Sequence, residues 1–263
     1  MTAPAWPLNV PVLGDGVVTL RAHTPADIDR MLQLAQDPEM VRWTAIPTPH
    51  DRAMSERFAL EIVPAGWDEG TSMGWAIEFE GRYAGNVDIR GKDVLADIGY
   101  ALHRDCRGRG VMTAAVRLAV DHAFVHAGKE AVQWRAHVGN LASLRVAWAC
   151  GFRLYEPVPD LLLERGRIIE AWTGSIRFGD APTPRTRWHA VTIEADGFVL
   201  RPTTEADLPR WAEAESSPAA RHWFDQGEQS VEVIEARWRR SILAEARGTF
   251  VRWTIADAED RYL

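Results

Sequence analysis

The chain has 263 residues, with 30 basic against 37 acidic side chains and a formal net charge of −7. That balance argues against nucleic-acid binding through bulk charge, and 46% hydrophobic residues suffice for the core of one large or two small units. Cys106 and Cys150 have neither metal-ligand spacing nor the look of a disulfide framework, so a reducing compartment and no metal are expected. The opening MTAPAWPLNVPVLGDG has no basic segment followed by an apolar one, and no apolar run approaches the roughly 18 residues that span a bilayer. A soluble, cytoplasmic protein without membrane or nucleic-acid partners is the expectation.

Val17 to Arg21 reads as a short strand. A helix follows in TPADIDRMLQLAQD, with Thr24 as N-cap, Pro25 at the first helical position and Asp27 in the first turn. HDRAMSERFALEIV predicts a second helix. Trp75, Ile77 and Phe79 alternate with polar or small residues, and Glu80-Gly81-Arg82 turns the chain into a partner strand over Ala84 to Arg90. Leu95 to Leu102 is the next strand. After RDCRGRG, the positions Val111, Ala115, Leu118, His122 and Val125 follow helical spacing, and Gly128 is a natural stop. Val132, Trp134, Ala136 and Val138 alternate as a strand. Asn140 to Cys150 is a short helix closed by Gly151, and strands near Pro157 to Glu164 and Arg167 to Phe178 form a last hairpin. Only the strands flanking the loop and helix that begin at Arg104 need a parallel crossover, so a mixed sheet flanked by helices is expected.

The chain also repeats itself. LRAHTPADIDR (Leu20 to Arg30) resembles LRPTTEADLPR (Leu200 to Arg210), and at the same offset Pro38 meets Pro218 and Trp43 meets Trp223. WAIEFEGRYA (Trp75 to Ala84) parallels WTIADAEDRYL (Trp253 to Leu263) at a slightly smaller offset. The expected organisation is a complete unit over 1–178, a turn-rich linker over 179–190, and over 191–263 the opening half of a second copy. That copy has no second glycine loop, and it stops inside its predicted hairpin, as a truncated tandem protein would.

A strand, then RGRG, then a helix is an order with chemical meaning. Backbone N–H groups at a helix start lack partners, the helix dipole favours an anion there, and Gly108 and Gly110 let backbone approach a phosphate. Arg104, Arg107 and Arg109 could add charge-assisted bonds. Taken alone, an ordinary glycine turn with solvated arginines explains the loop as well. No Gly-Lys-Ser/Thr follows, and the third glycine of a dinucleotide fingerprint is missing.

RDCRGRGVMTAA resembles the acyl-CoA pyrophosphate loop of the GNAT N-acyltransferases, Gln/Arg-x-x-Gly-x-Gly/Ala, with Asp105 departing from the first position. VGNLASLRVAWACGF is similar to the family's Asn-x-x-Ser followed by Gly-Phe. ADIGYAL is similar to the strand before the loop, and VTLRAHTPADIDRML to the opening strand and helix. Over residues 16 to 178 the order is that of the RimJ/RimL-type branch. The resemblance implies a GNAT-type α/β (α+β) fold, a mostly antiparallel sheet with a parallel, splayed strand pair at the cofactor site. It implies an N-acetyltransferase moving an acetyl group directly from acetyl-CoA to a primary amine, on a protein N-terminus or a small molecule. A homodimer is compatible with it. The alternative is a non-catalytic acyl-CoA-binding or regulatory module.

By the same resemblance, N–H groups of Arg107, Gly108, Arg109, Gly110, Val111, Met112 and Thr113 would cradle the pyrophosphate, and a backbone N–H near Leu102 would polarise the thioester carbonyl. Asn140 is an ideal N-cap, alone or with a cofactor contact as well. The tyrosine that often protonates the leaving thiolate is replaced by Ala147, which leaves Ser143 near the sulfur. A base must free the amine of a proton. Asp97 is the first candidate and His103 the second, each with a structural role as its alternative, and His137 and Glu78 are weaker ones. A catalytic Cys106 is the least expected. Trp43 and Trp67 fall in the region that lines acceptor sites, and Ile46 to Gly74 would set acceptor selectivity.

Overall fold

Trp75, Ala76 and Ile77 follow one another along a single strand, and none has any exposed surface. Successive side chains point to opposite faces of a sheet, so this strand is covered on both sides. In the computed structural model, which describes residues 9–224, 229–257 and 259–262, that covering is done by helices. The chain divides into two compact units, Met1–Pro184 and Arg185–Leu263. The expectations for the opening residues 1–8, for the side chain of Trp223 and for Leu263 lie outside the described residues.

The first unit begins with β1 (Leu13–Gly14) and β2 (Thr19–Arg21). A 3-10 turn over Pro25–Asp27 leads into α1 (Ile28–Ala35), followed by α2 (Pro38–Trp43). The predicted second helix is longer: α3 (Arg52–Arg57), a π turn over Phe58–Ile62 and α4 (Val63–Asp68). Pro64 has no N–H to give. The wide turn just before it, in which Val63 N–H reaches Phe58 O, lets the helical path continue. The hairpin β3 (Ser72–Phe79) and β4 (Arg82–Arg90), strand β5 (Leu95–Leu102), helix α5 (Val111–Val125), strand β6 (Ala131–His137) and helix α6 (Leu141–Ala149) match the predicted order. Strands β7 (Arg153–Leu154), β8 (Val158–Glu164) and β9 (Arg167–Arg177) close the unit.

The sequence reading missed three short elements. β1 and β7 are too brief for a period, and α2 is marked only by Asp37, whose side chain caps Glu39 N–H ahead of Pro38. Val125 is also corrected. It is 59% exposed, because the inward stripe through Val111, Ala115 and Ala119 ends at Ala123.

Among the described residues nine strands form one sheet, ordered β1-β2-β3-β4-β5-β6-β9-β7, with β8 on β9. Neighbours are antiparallel except β5 and β6. One face carries α1 to α3, where Ile28, Met31, Leu34, Met40 and Ala59 pack with Ala76 and Ala101. On the other, α5 presents Val111, Ala115, Ala119 and Ala123, all at most 1% exposed. At Gly85 in β4 the backbone of β5 occupies the side-chain position: a Cβ there would stand 2.1 Å from Ala101 O.

The second unit has a three-stranded antiparallel sheet, β10 (Ile193–Ala195), β11 (Phe198–Arg201) and β12 (Thr254–Ala256), with α7 (Leu208–Glu215), α8 (Pro218–Phe224) and α9 (Val231–Ala246) between the last two. Its bonds echo those of the first. Arg21 grips Asp27 at 2.8 and 2.9 Å, and Arg201 grips Asp207 at the same distances. Thr24 and Thr204 each start a capping box with that aspartate. Trp75 Nε1 donates to Pro11 O at 3.0 Å, and Trp253 Nε1 donates to Val191 O at 2.8 Å.

Two stability predictions follow from these contacts. Gly85→Ala forces backbone apart and should cost about 1–3 kcal/mol, read as a lower midpoint in urea. For Asp27, burial raises the carboxyl pKa, but the bonds from Arg21 and Thr24 outweigh it and hold the group below its ordinary value. A carboxylate with a depressed folded-state pKa stabilises the fold above its unfolded value, near 3.9, and that stability is lost as pH falls through the folded value. Asp27→Asn should therefore lower Tm at neutral pH and flatten the decline of Tm with acid below about pH 4, measured by circular dichroism.

Candidate functional site

The parallel pair β5 and β6 is hydrogen-bonded only from Leu95↔Ala131 to Ile98↔Trp134. Beyond that register the strands part. Each stays fixed along its outer edge, β5 by Gly85↔Leu102 and β6 by His137↔Ala171. His103 N–H bonds to Ala84 O at 2.7 Å, and backbone groups alternate sides along an antiparallel ladder. The N–H and C=O of Tyr100 and Leu102 therefore point away from β4, into the gap. Leu102 O is met by the Arg107 guanidinium at 3.2 and 3.3 Å, and Leu102 N–H faces the opening.

The predicted loop lies at the end of β5. Gly108 (φ +72°) and Gly110 (φ +78°) are both left-handed, a conformation that costs other residues about 1–2 kcal/mol. A Cβ at either would meet nothing within 4 Å, so the space above the loop is open. Gly110 is the N-cap of α5, and its carbonyl takes the N–H of Ala114. The N–H groups of Val111, Met112 and Thr113 form the orphan first turn, with positive dipole directed outward.

Two of the loop's arginines pair with carboxylates of the chain. Arg107 pairs with Asp37 at 2.6 Å while holding Leu102 O, and Arg109 pairs with Glu80 and lies 4.5 Å over the Phe79 ring. These two side chains brace the loop against α2's N-cap and the β3–β4 turn. Asp105, the departure from the family pattern, accepts from His103 Nδ1 at 2.7 Å, Arg30 at 2.9 Å and Cys106 Sγ at 3.1 Å. Burial raises its pKa, but those donors outweigh burial and hold the carboxyl well below its usual range. His103 is 6% exposed, and its second nitrogen lies 3.3 Å from Gln33 Oε1. Burial and the Asp105 carboxylate push the Cys106 thiol up to about 11, the reverse of an activated nucleophile. Burial pushes Cys150 to about 12.

Ser143 stands where the strands part. Asn140 caps α6 by accepting Ser143 N–H at 3.1 Å, which places the serine in the first turn. The Ser143 hydroxyl accepts from Trp134 Nε1 at 2.9 Å and lies 3.0 Å from Tyr100 Oη, which is also 3.1 Å from Ser143 O. Trp134 is the last β6 residue paired with β5, and Tyr100 is two residues past its partner Ile98.

The opposite face of the same strands is polar. Asp97 Oδ2 pairs with Arg135 at 2.6 Å, while Asp97 Oδ1 is buried with no hydrogen-bond partner. Asp88 sits across from Gly99, the first β5 residue beyond the pairing, and pairs with Arg90 at 2.8 Å. A Cβ on Gly99 would touch Asp88 Oδ1 at 2.8 Å and Arg90 at 2.7 Å, so both side chains lean over that glycine. Burial raises the Asp88 pKa against the pull of Arg90. Farther along, His137 Nδ1 lies 3.6 Å from Glu164 and its ring is edge-on to Trp43, while Arg165 reaches from the β8–β9 turn to Val41 O.

Asp97, with Arg135, and His137, with Trp43, thus lie along the same face of β5 and β6, while His103 follows the end of β5 and is bonded to Asp105. Trp67 is core, donating to Gly74 O, and Glu78 is held by Arg21 at 2.7 Å. The reading missed Asp88, Tyr100 and Arg135, although polar Asn86, Asp88 and Arg90 alternating with buried Val87 and Ile89 does mark the first.

An acetyltransferase (GNAT) domain profile matches residues 18–153. The probable N-acetyltransferase YjcK of Bacillus subtilis is 37% identical over 89 residues, covering 32% of this chain and 49% of that protein, so the chain spans about half the length of this relative. Mycobacterium smegmatis RimJ in complex with CoA-disulfide superposes with a TM-score of 0.59 at 22% identity, over 66% of this chain and 90% of that one. RimL, a ribosomal L7/L12 alpha-N-protein acetyltransferase solved with coenzyme A, does so at 0.58 and 16%, over 64% and 98%. The fold they share is the one described above, and with the profile spanning half its length this chain belongs to the GNAT acetyltransferase family.

Proposed function

We propose that the first unit transfers an acetyl group from acetyl-CoA to a primary amine, on a protein N-terminus or a small molecule, by direct attack in a ternary complex. The observation that carries this reading is the fixed gap between β5 and β6, with Leu102 N–H directed into it and the left-handed glycine loop at its end. The orphan N–H groups from Gly108 to Thr113 hold the pyrophosphate at the positive end of α5. The pantetheine enters the gap as a strand would, against backbone groups that no strand satisfies. Leu102 N–H polarises the thioester carbonyl, and Arg107 holds the following peptide by gripping Leu102 O. Asn140 acts through its cap.

On the polar face, the unpartnered Oδ1 of Asp97 takes a proton from the amine nitrogen, directly or through water. Asp88 lies beside it as a second carboxylate. Trp43, His137 and Glu164 line the far side of the acceptor cleft. The RimL neighbour, by its description an alpha-N-protein acetyltransferase, supports a protein N-terminus as one acceptor class. The second unit reads as a copy of the first unit's opening half, on the recurrent Arg–Asp–Thr and tryptophan bonds, and it lacks the glycine loop in sequence.

Isothermal titration of the chain with acetyl-CoA should therefore give one site per chain. Gly110→Glu puts a carboxylate into the open space over the loop and should weaken binding at least tenfold while costing only about 1–2 kcal/mol of fold stability; unchanged affinity would remove the loop from the site. Asp97→Asn should lower kcat about tenfold or more, by the scale of general-base catalysis, with acetyl-CoA affinity retained. Full activity in that variant, with loss in Asp88→Asn, would move the base to Asp88.

A further inference from the structure

Two histidines of the first unit are buried with no hydrogen bond at any of their four ring nitrogens. His23 follows β2 and His122 lies in the C-terminal half of α5; among the described residues neither Nδ1 nor Nε2 of either ring has a partner. A neutral imidazole leaves one donor and one acceptor unmet in such a place. An imidazolium would leave two donors and a charge, which costs far more. The surroundings are aromatic. The His122 ring stands edge-on to Trp75 at 5.5 Å, and Trp75 in turn meets Trp67 at 5.0 Å. The His23 ring lies 5.9 Å from Phe58 and 6.2 Å from Tyr83. Phe58 belongs to the π turn of the helical layer on one face of the sheet and Tyr83 to β4, while α5 covers the other face. Each ring therefore joins a different helical layer to the sheet.

On α5, the His126 ring lies 4.9 Å from that of His122, and Asp121 is its neighbour in the chain. Burial lowers the His122 pKa, His126 adds to that, and Asp121 opposes it. Burial brings His23 down to about 4, with Asp27 opposing and Arg21 adding; that carboxylate is already bonded by Arg21 and Thr24. Burial raises the Tyr83 phenol, so it brings no charge. We propose that His23 and His122 are acid-sensitive joints, one to each helical layer, which loosen the first unit as the medium turns mildly acidic. In the unfolded chain both rings are in water and titrate near 6.5. With the folded values depressed, the rings cost nothing above that pH. Below it the unfolded chain binds protons that the fold refuses, and stability falls from about pH 6.5 toward the folded values. The loss at Asp27 begins lower, below about pH 4, so the two steps are separate. His103 is the contrast within the same unit. It is as buried as His122, both being 6% exposed, yet it has Asp105 Oδ1 at 2.7 Å and Gln33 Oε1 at 3.3 Å, one at each nitrogen.

The test is amide hydrogen exchange of the whole chain, read by mass spectrometry over α5 and over residues 52–68, and corrected for the intrinsic effect of pH on exchange. Between about pH 6.5 and 5, protection in both segments should fall, by up to about tenfold for each ring. His122→Leu should keep α5 protected at about pH 7.5, because no hydrogen bond is lost, and should remove most of the fall there. His23→Leu should do the same over residues 52–68. In the wild-type chain the carbon-bound ring protons of His23 and His122, followed by NMR, should show both rings neutral at about pH 6.5, where a free histidine is half protonated. This reading stands whether or not a variant folds. Either ring half protonated at that pH in the folded chain, or protection that falls as much in the leucine variants as in the wild type, overturns the inference.

Discussion

The separation of β5 from β6 after Ile98 and Trp134 is the constraint on which the rest of the first unit depends. A parallel pair needs a crossover of a dozen residues or more, and α5 supplies it. The crossover must leave β5 through a tight turn, which explains two left-handed glycines so close together. Because β4 and β9 hold the outer edges, neither strand can swing across to close the gap. The N–H of Leu102 and the backbone groups of Tyr100 thereby face an opening, where unpaired polar groups are costly unless water or a ligand meets them. A gap of this kind is held ready for an extended partner by the same hydrogen bonds that build the sheet.

The charges around the gap are arranged to brace it. Arg107 and Arg109 answer Asp37 and Glu80, and Arg30 answers Asp105, so each loop arginine named here is committed to a carboxylate of the chain. Under the proposed function, an anion at this loop would be met by the N–H groups at the start of α5. The two faces also differ in chemistry. On the α6 side, the Ser143 hydroxyl accepts from Trp134 and meets Tyr100, and on the α1 side, Asp97 and Asp88 pair with Arg135 and Arg90, with one oxygen of Asp97 unsatisfied. A reaction that removes a proton from one partner and leaves negative charge on the other suits such a division.

Much of this was legible in the sequence, and the limits have physical causes. The helix and strand periods placed β3, β4, β6 and α5, because those elements are long enough for a period to repeat, and Asn140 and Gly151 bounded α6. The strands β1 and β7, of two residues each, carry none. The loop was identified from its glycines, since φ above zero leaves a residue-type signature. The direction of the arginine side chains leaves none, because a guanidinium pairs equally well with an anion outside the chain or with Asp37 within it. Tyr100 read as an ordinary strand residue, and its importance depends on Trp134 and Ser143, 34 and 43 positions away, meeting it at one point. Registers of that sort are set by packing between distant segments.

The second unit separates what belongs to folding from what belongs to chemistry. Arg201, Thr204 and Asp207 reproduce the bonds of Arg21, Thr24 and Asp27, including the guanidinium gripping a capping-box carboxylate. They pin a strand end to a helix start, satisfying orphan N–H groups and neutralising a buried carboxylate in one contact. Asp27, though buried and charged, is therefore a structural aspartate. Asp97, by contrast, carries a buried oxygen with no hydrogen-bond partner among the described residues. An unsatisfied buried acceptor has a cost that packing alone does not explain, and this is the ground for seeking the chemistry at Asp97 rather than among the better-bonded carboxylates around it.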